Sequence, residues 1–114
     1  MQYLLQIYTN GAGEEYEGLS EDAQKAITGE YMAIAQSPGV TGGAALQPTE
    51  TATTVRVQDG RTLTTDGPFP EMKEVLAGYY LLEADDLDVA IELAARIPAA
   101  RMGGAVEVRP LVER

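Results

Sequence analysis

The chain contains neither cysteine nor histidine. Without cysteine there can be no disulfide, no thiolate zinc or iron–sulfur site and no thiol nucleophile. Without histidine it lacks the commonest acid/base at neutral pH and the imidazole metal ligand. Any catalysis must run on carboxylates, Lys, Tyr, Ser/Thr or backbone groups. Metal binding falls to oxygen donors, and hard cations need several carboxylates that converge. The acidic run Asp85-Asp86-Leu87-Asp88 lacks the Gly and distal Glu of a calcium loop, so no metal and no cofactor is expected.

Positive charge is scarce. Lys and Arg number 8 against 18 Asp and Glu, for a net charge of −10. The bases are scattered at Lys25, Arg56, Arg61, Lys73, Arg96, Arg101, Arg109 and Arg114. No patch is able to neutralise a row of phosphates, which argues against nucleic acid and against an anionic membrane as partners. Gly11-Ala12-Gly13 is no phosphate loop. It lacks a following Lys-Ser/Thr, and the acidic stretch Glu14-Glu15-Tyr16-Glu17 comes next. Long apolar runs are missing too, so no membrane span is expected. Met1-Gln2-Tyr3-Leu4 lacks the basic start of a signal peptide, and a cytoplasmic location is the expectation.

What is present is globular. At 114 residues, 45% hydrophobic and 23% charged, the chain suits one domain over 1–114 with a real core. Tyr3–Tyr8 is short, aromatic and apolar, and predicts a strand. Ser20-Glu21-Asp22 has the form of a helix start, with Ser20 as cap and two acids in the first turn. Leu19, Ala23, Ala26, Ile27, Tyr31 and Ile34 follow at helical spacing, and Ser37-Pro38-Gly39 ends the helix. Gly42–Leu46 reads as a short strand whose glycines allow close backbone approach.

Thr53–Gln58 and Arg61–Thr65 flank Asp59-Gly60, a strong hairpin signal. Thr65–Pro70 is a rigid turn, and Val75–Ala84 a long strand. Asp85–Ile97 predicts a second helix with Asp85 as cap, Asp88 as capping-box partner and Leu87, Ile91 and Ala94 as its buried stripe. Ala105–Leu111 closes the chain as a strand, Val106 and Val108 alternating with Glu107 and Arg109. Without the inserted hairpin the order is βαββαβ. It points to an α+β ferredoxin-like fold, an antiparallel sheet with both helices on one face.

Two strands are apolar on both sides. Val75, Ala77, Tyr79 and Leu81 alternate with Leu76, Tyr80 and Leu82, and Tyr3, Leu5 and Ile7 with Leu4 and Tyr8. A sheet with one wet face alternates apolar with polar. A cover for the second face is therefore expected: a second copy of the chain across a two-fold axis is the simplest, the alternatives being a ligand that fills part of the gap or ordinary exposure of apolar side chains.

The run Asp66-Gly67-Pro68-Phe69-Pro70-Glu71-Met72-Lys73-Glu74 resembles the signature of the DGPF family within the YCII-related proteins. The resemblance extends through Tyr3–Tyr8, Ala52–Val57 with Asp59-Gly60, Gly78–Glu83 with Asp86-Leu87-Asp88, Ile97–Ala100 and Val106–Pro110. It implies a dimeric α+β barrel of two ferredoxin-like subunits. Genes for such proteins often lie beside those for extracytoplasmic-function sigma factors, which implies an association with stress physiology. Some relatives carry a His–Asp pair proposed as catalytic, and one is a lyase-type dehalogenase of a chlorinated hydroxyquinol. This chain has no His. Where family members often carry Glu after the Gly-Gly of the second strand, it has Ala44-Ala45 after Gly42-Gly43.

The candidate site residues follow from these segments. Asp66, held in a tight connection before Gly67-Pro68, is either a general base in a pocket or the acceptor of an Asp turn. Arg56, on the polar face of its strand with Thr54, is either a clamp for an anionic substrate or half of an ion pair with Asp66, Glu71 or Glu107. Glu71 and Lys73 share a face of an extended segment, as a proton shuttle, an anion anchor or a solvated salt bridge. Tyr8, with Tyr79 and Tyr80, offers a phenol to the barrel interior as core or as ligand contact. Two functions remain. One is a dimeric small-molecule binding or regulatory protein. The other is a cofactor-free lyase or isomerase acting on a small aromatic or acidic metabolite, with Asp66 as base.

Overall fold

The structure is a computed structural model and describes residues 1–10, 16–67 and 74–113. Along them run β1 (Gln2–Thr9), α1 (Glu21–Ala35), β2 (Val40–Ala45), β3 (Thr53–Gln58), β4 (Arg61–Asp66), β5 (Val75–Glu83), α2 (Leu87–Ala95) and β6 (Ala105–Pro110). One-turn 3-10 segments at Thr49–Thr51 and Pro98–Ala100 complete the order. Four strands form an antiparallel sheet in the order β2-β5-β1-β6, and β3-β4 form a separate ribbon. This is the α+β arrangement with an inserted hairpin that the element order predicts.

The sheet is organised by its central strand. Tyr3, Leu5 and Ile7 of β1 point to one side and are 2%, 0% and 6% exposed. They meet Tyr80 and Leu82 of β5, Ile34 of α1, Ala90 and Leu93 of α2, and Ile97 and Ala99 beyond it. Both helices feed this one cluster, so both cover the same face. The opposite face carries Leu4, Gln6 and Tyr8 of β1, each half-buried, with Leu81 paired to Leu4 and Tyr79 paired to Gln6.

Two bulges change the alternation read from the sequence. Between Ile7 and Tyr8 the register with β5 slips, so that Ile7 faces Gly78 and Tyr8 faces Leu76. The extra residue, Ala77, comes to lie beside Gly78, and Leu76 shares the helix-free face with Tyr8 rather than the core face with Tyr80 and Leu82. A second bulge, between Val40 and Gly42, keeps Val40 on the core side opposite Leu82 and places Gly43 opposite Tyr80.

The helices start where short polar side chains satisfy their first N–H groups. Ser20 Oγ accepts from the Ala23 N–H at 3.1 Å, as the sequence predicts. The second cap differs. Asp86, not Asp85, is the N-cap, and its Oδ1 accepts from the Val89 N–H at 3.0 Å. Helix α2 is correspondingly shorter and rotated. Ala90, Leu93 and Ala94 are its buried stripe, while Leu87 and Ile91 are 48% and 49% exposed. The stripe moves because small Ala90 and Ala94 let the helix sit close to the sheet with Leu93 between them. The β3-β4 turn matches its signal: Asp59 and Gly60 both have positive φ, 51° and 75°, as a two-residue type I′ hairpin requires.

The N-cap assignment is testable by urea denaturation. Asp86→Ala should cost about 1 kcal/mol, the usual worth of such a cap, and Asp85→Ala only a few tenths.

A candidate ligand cavity under helix α1

The two helices sit on the sheet differently. Helix α2 buries three residues within Leu87–Ala95, whereas α1, spanning Glu21–Ala35, buries only Ile34. Ala26, expected on its buried face, is exposed, and Ala23, Ile27 and Tyr31 are only half-buried. The cause lies in the strands opposite. On the core side of β2 and the start of β5 stand Gly43, Ala45, Ala77 and Gly78, almost without side chains. Ile34 and Tyr80 hold the helix at ordinary packing distance further along, so the space above these small residues stays empty.

The result is a cavity of about 1250 Å3 between α1 and the sheet. Gly43, Ala45, Ala77 and Gly78 are its floor, Ile27, Tyr31 and Met32 its roof, and Thr9, Asn10, Tyr16 and Thr28 bring polar groups to its lining. Its size is somewhat above the usual range of small-molecule sites, roughly 300–1,000 Å3. The floor cannot readily be filled at two of its positions. A Cβ on Gly43 would come within 2.6 Å of the Tyr79 carbonyl oxygen, and one on Gly78 within 2.8 Å of that of Ala44.

No charged side chain belongs to the lining among the described residues. Its polar groups are largely engaged. The Tyr80 hydroxyl donates to the Tyr31 carbonyl at 2.8 Å, and the Tyr16 and Thr28 hydroxyls lie 3.3 Å apart. Burial pushes the Tyr31 phenol above its ordinary pKa, against the pull of the Ala99 backbone and of Arg101, with Glu30 adding to the rise. Burial raises Tyr80 likewise, with Tyr31 close by. Arg101 and Glu30 form a half-exposed ion pair with an N–O distance of 2.5 Å and take no part in the lining.

Of the residues selected from the sequence, Tyr79 and Tyr80 belong to the cavity lining, whereas Thr54, Arg56, Asp66 and Tyr8 lie elsewhere. Thr54 Oγ1 donates to the Gly67 carbonyl at 2.6 Å and, with the Gly67 N–H on the Ala52 carbonyl at 2.8 Å, ties the base of the hairpin. Arg56 pairs across the ribbon with Leu63, and Asp66 with Thr53. Directly opposed residues share a face and successive ones alternate, so Arg56 and Asp66 project from opposite faces of the hairpin. Both are exposed. Tyr8 stands on the helix-free face of the sheet, opposite Leu76 and Ala105. Glu71 and Lys73, and the Pro68–Pro70 turn, lie outside the described residues. The structure therefore does not bring Asp66, Arg56 and Tyr8 together, and none of them lines the cavity. The signal that marks the cavity in the sequence is Gly42-Gly43-Ala44-Ala45 together with Ala77-Gly78.

The YCII-related domain matches the chain over residues 1–114. The chain belongs to the YCII-related family. This YCII-related chain is also 45% identical over 69 residues to an uncharacterized protein of Rhizobium meliloti, a stretch covering 60% of this chain and 56% of that protein. The match thus spans little more than half the length of the curated relative, and that relative has no stated activity.

The phenol shifts make a pH prediction. Folding keeps Tyr31 and Tyr80 protonated past the ordinary value of 10.0. The unfolded chain releases those protons first, so their contribution is intact below pH 10.0 and is lost as pH rises through the higher folded values. Urea midpoints measured from about pH 9 to pH 11 should fall less steeply for Tyr31→Phe than for the wild type.

Proposed function

We propose that this YCII-related protein is a homodimer that binds an uncharged, largely apolar small molecule in the cavity under α1. The observation that carries this reading is a large cavity whose described lining holds no charged side chain. Desolvating an ion there would go uncompensated, whereas apolar surface gains about 25 cal/mol per Å2 buried. The Thr9, Asn10, Tyr16 and Thr28 groups suit one neutral polar end on the ligand. The resemblance to stress-associated relatives is compatible with a sensing or carrier role. The lyase or isomerase reading asks for a base beside the ligand, and Asp66, its candidate, stands exposed on the hairpin outside the cavity lining.

The dimer half of the proposal rests on the helix-free face. The body is 20 Å thick along its short axis, one helix layer on one sheet. Leu4, Tyr8, Leu76, Tyr79 and Leu81 form an apolar patch there, bounded on β6 by Glu107 and Arg109, whose side chains pair at 2.5 Å. Packing this face on its own copy removes the patch from water and completes a layered body.

Two experiments test these statements. Sedimentation velocity at micromolar concentration should show a dimer, and Leu81→Arg should convert it to a monomer that keeps its far-UV spectrum. A monomeric wild type would rule the dimer out. The neutral fluorophore Nile red should bind with enhanced emission. Ala45→Leu, which fills the floor without replacing a glycine, should weaken binding about tenfold or more, since its three added carbons displace at least two methylene groups of ligand contact, about 1.6 kcal/mol. Equal affinity of both proteins would remove the cavity as the site.

A further inference from the structure

We propose that Tyr16–Thr28 is a lid over the cavity and that it swings about Gly29. This rests on the cavity being the ligand site and states how that site opens.

Helix α1 runs unbroken from Glu21 to Ala35, but among the described residues its side-chain ties divide at one residue. On the N-terminal side they are local. Gln24 Nε2 donates to the Tyr16 and Leu19 carbonyls at 2.9 and 3.3 Å, and the Leu19 N–H to the Tyr16 carbonyl at 3.1 Å. Ser20 caps Ala23, Lys25 lies 4.0 Å from Glu21, and the Tyr16 hydroxyl meets Thr28. Each of these joins two residues within Tyr16–Thr28, so the segment is braced as one unit, and none of its residues is buried. On the C-terminal side the ties reach the rest of the protein. Glu30 pairs with Arg101, the Tyr31 carbonyl accepts from Tyr80, and Ile34 is 5% exposed in the core.

Gly29 lies between the two sets. A glycine in a helix interior weakens it relative to alanine and is kept where something requires it. No close packing requires this one, because a Cβ at Gly29 would meet nothing within 4 Å. A second, shallower hollow of about 380 Å3 reaches Gly29 and is lined only by residues between Tyr16 and Met32, so among the described residues no other element packs on that side of the segment. Tyr16, Ile27 and Thr28 of the unit are part of the cavity wall. Bending at Gly29 therefore moves a wall of the cavity while the Glu30–Ala35 turns stay anchored, the behaviour of a hinge that absorbs the change at one small residue.

The test is Gly29→Ala, a change with open space for its methyl. In wild-type protein, hydrogen exchange should show the Gln24–Thr28 amides opening as a block faster than those of Tyr31–Ala35, and the variant should slow that block several-fold. Stopped-flow mixing with Nile red should show association and dissociation rates both reduced about fivefold in the variant, the factor for a helix penalty of glycine against alanine, with Kd unchanged within about twofold. Uniform exchange across α1, or unchanged dye kinetics, overturns the lid and leaves the cavity as the site. Failure of the dye to bind either protein overturns the cavity and the lid together.

Discussion

The arrangement depends on β1 being paired on both edges and buried on one face. Its residues bond to β5 on one side and to β6 on the other, from Gln2 to Thr9 and from Tyr3 to Tyr8. A central antiparallel strand in this position fixes which side chains face inward, because a slip of one residue would send Tyr3, Leu5 and Ile7 to the other side. Each of those side chains gains roughly 1.5–3 kcal/mol from burial. That preference selects the register, and the register places α1 and α2 on a common face.

Given that frame, side-chain volume decides where the molecule is solid and where it is hollow. Under α2 and the Pro98–Ala100 turn, Leu5, Leu93 and Ile97 fill the space and are 0–4% exposed. Under α1, the positions facing the helix are Gly43, Ala45, Ala77 and Gly78, and no side chain among the described residues replaces the missing volume. Interiors are normally packed as densely as organic crystals, and the region under α1 departs from that density. The bulge at Ile7/Tyr8 contributes by turning Ala77, rather than a larger neighbour, toward the gap.

The remaining features concern surfaces. The hairpin β3-β4 exposes Val55, Val57 and Leu63, and bonds among Ala52, Thr54 and Gly67 close its base. The protein's acidity is spread over both helices and their caps, with Glu21 and Asp22 opening α1 and Asp86 and Asp88 opening α2, where negative charge favours the helix dipole. Those acids account for helix starts and are absent from the cavity lining among the described residues.

Much of the fold was legible from residue patterns. Ser20, the Asp59-Gly60 pair, the alternation of Val106 and Val108 with Glu107 and Arg109, and the βαββαβ order each act through contacts close in sequence, where one residue's preference decides the outcome. The location of the site was not legible in this way. Asp66 and Arg56 stood out as chemistry-bearing residues on neighbouring strands, yet only the cross-strand register shows that they project from opposite faces. The cap moved from Asp85 to Asp86 because adjacent acids have equal local claims and the packing of Ala90 and Leu93 chooses between them. The amino-acid sequence by itself determined the elements, their order, the absence of thiol and imidazole chemistry and the small residues of β2 and β5. Tertiary structure alone decided that those small residues lie under α1. An empty volume belongs to no single segment and exists only once a helix and a sheet far apart in sequence are held at packing distance.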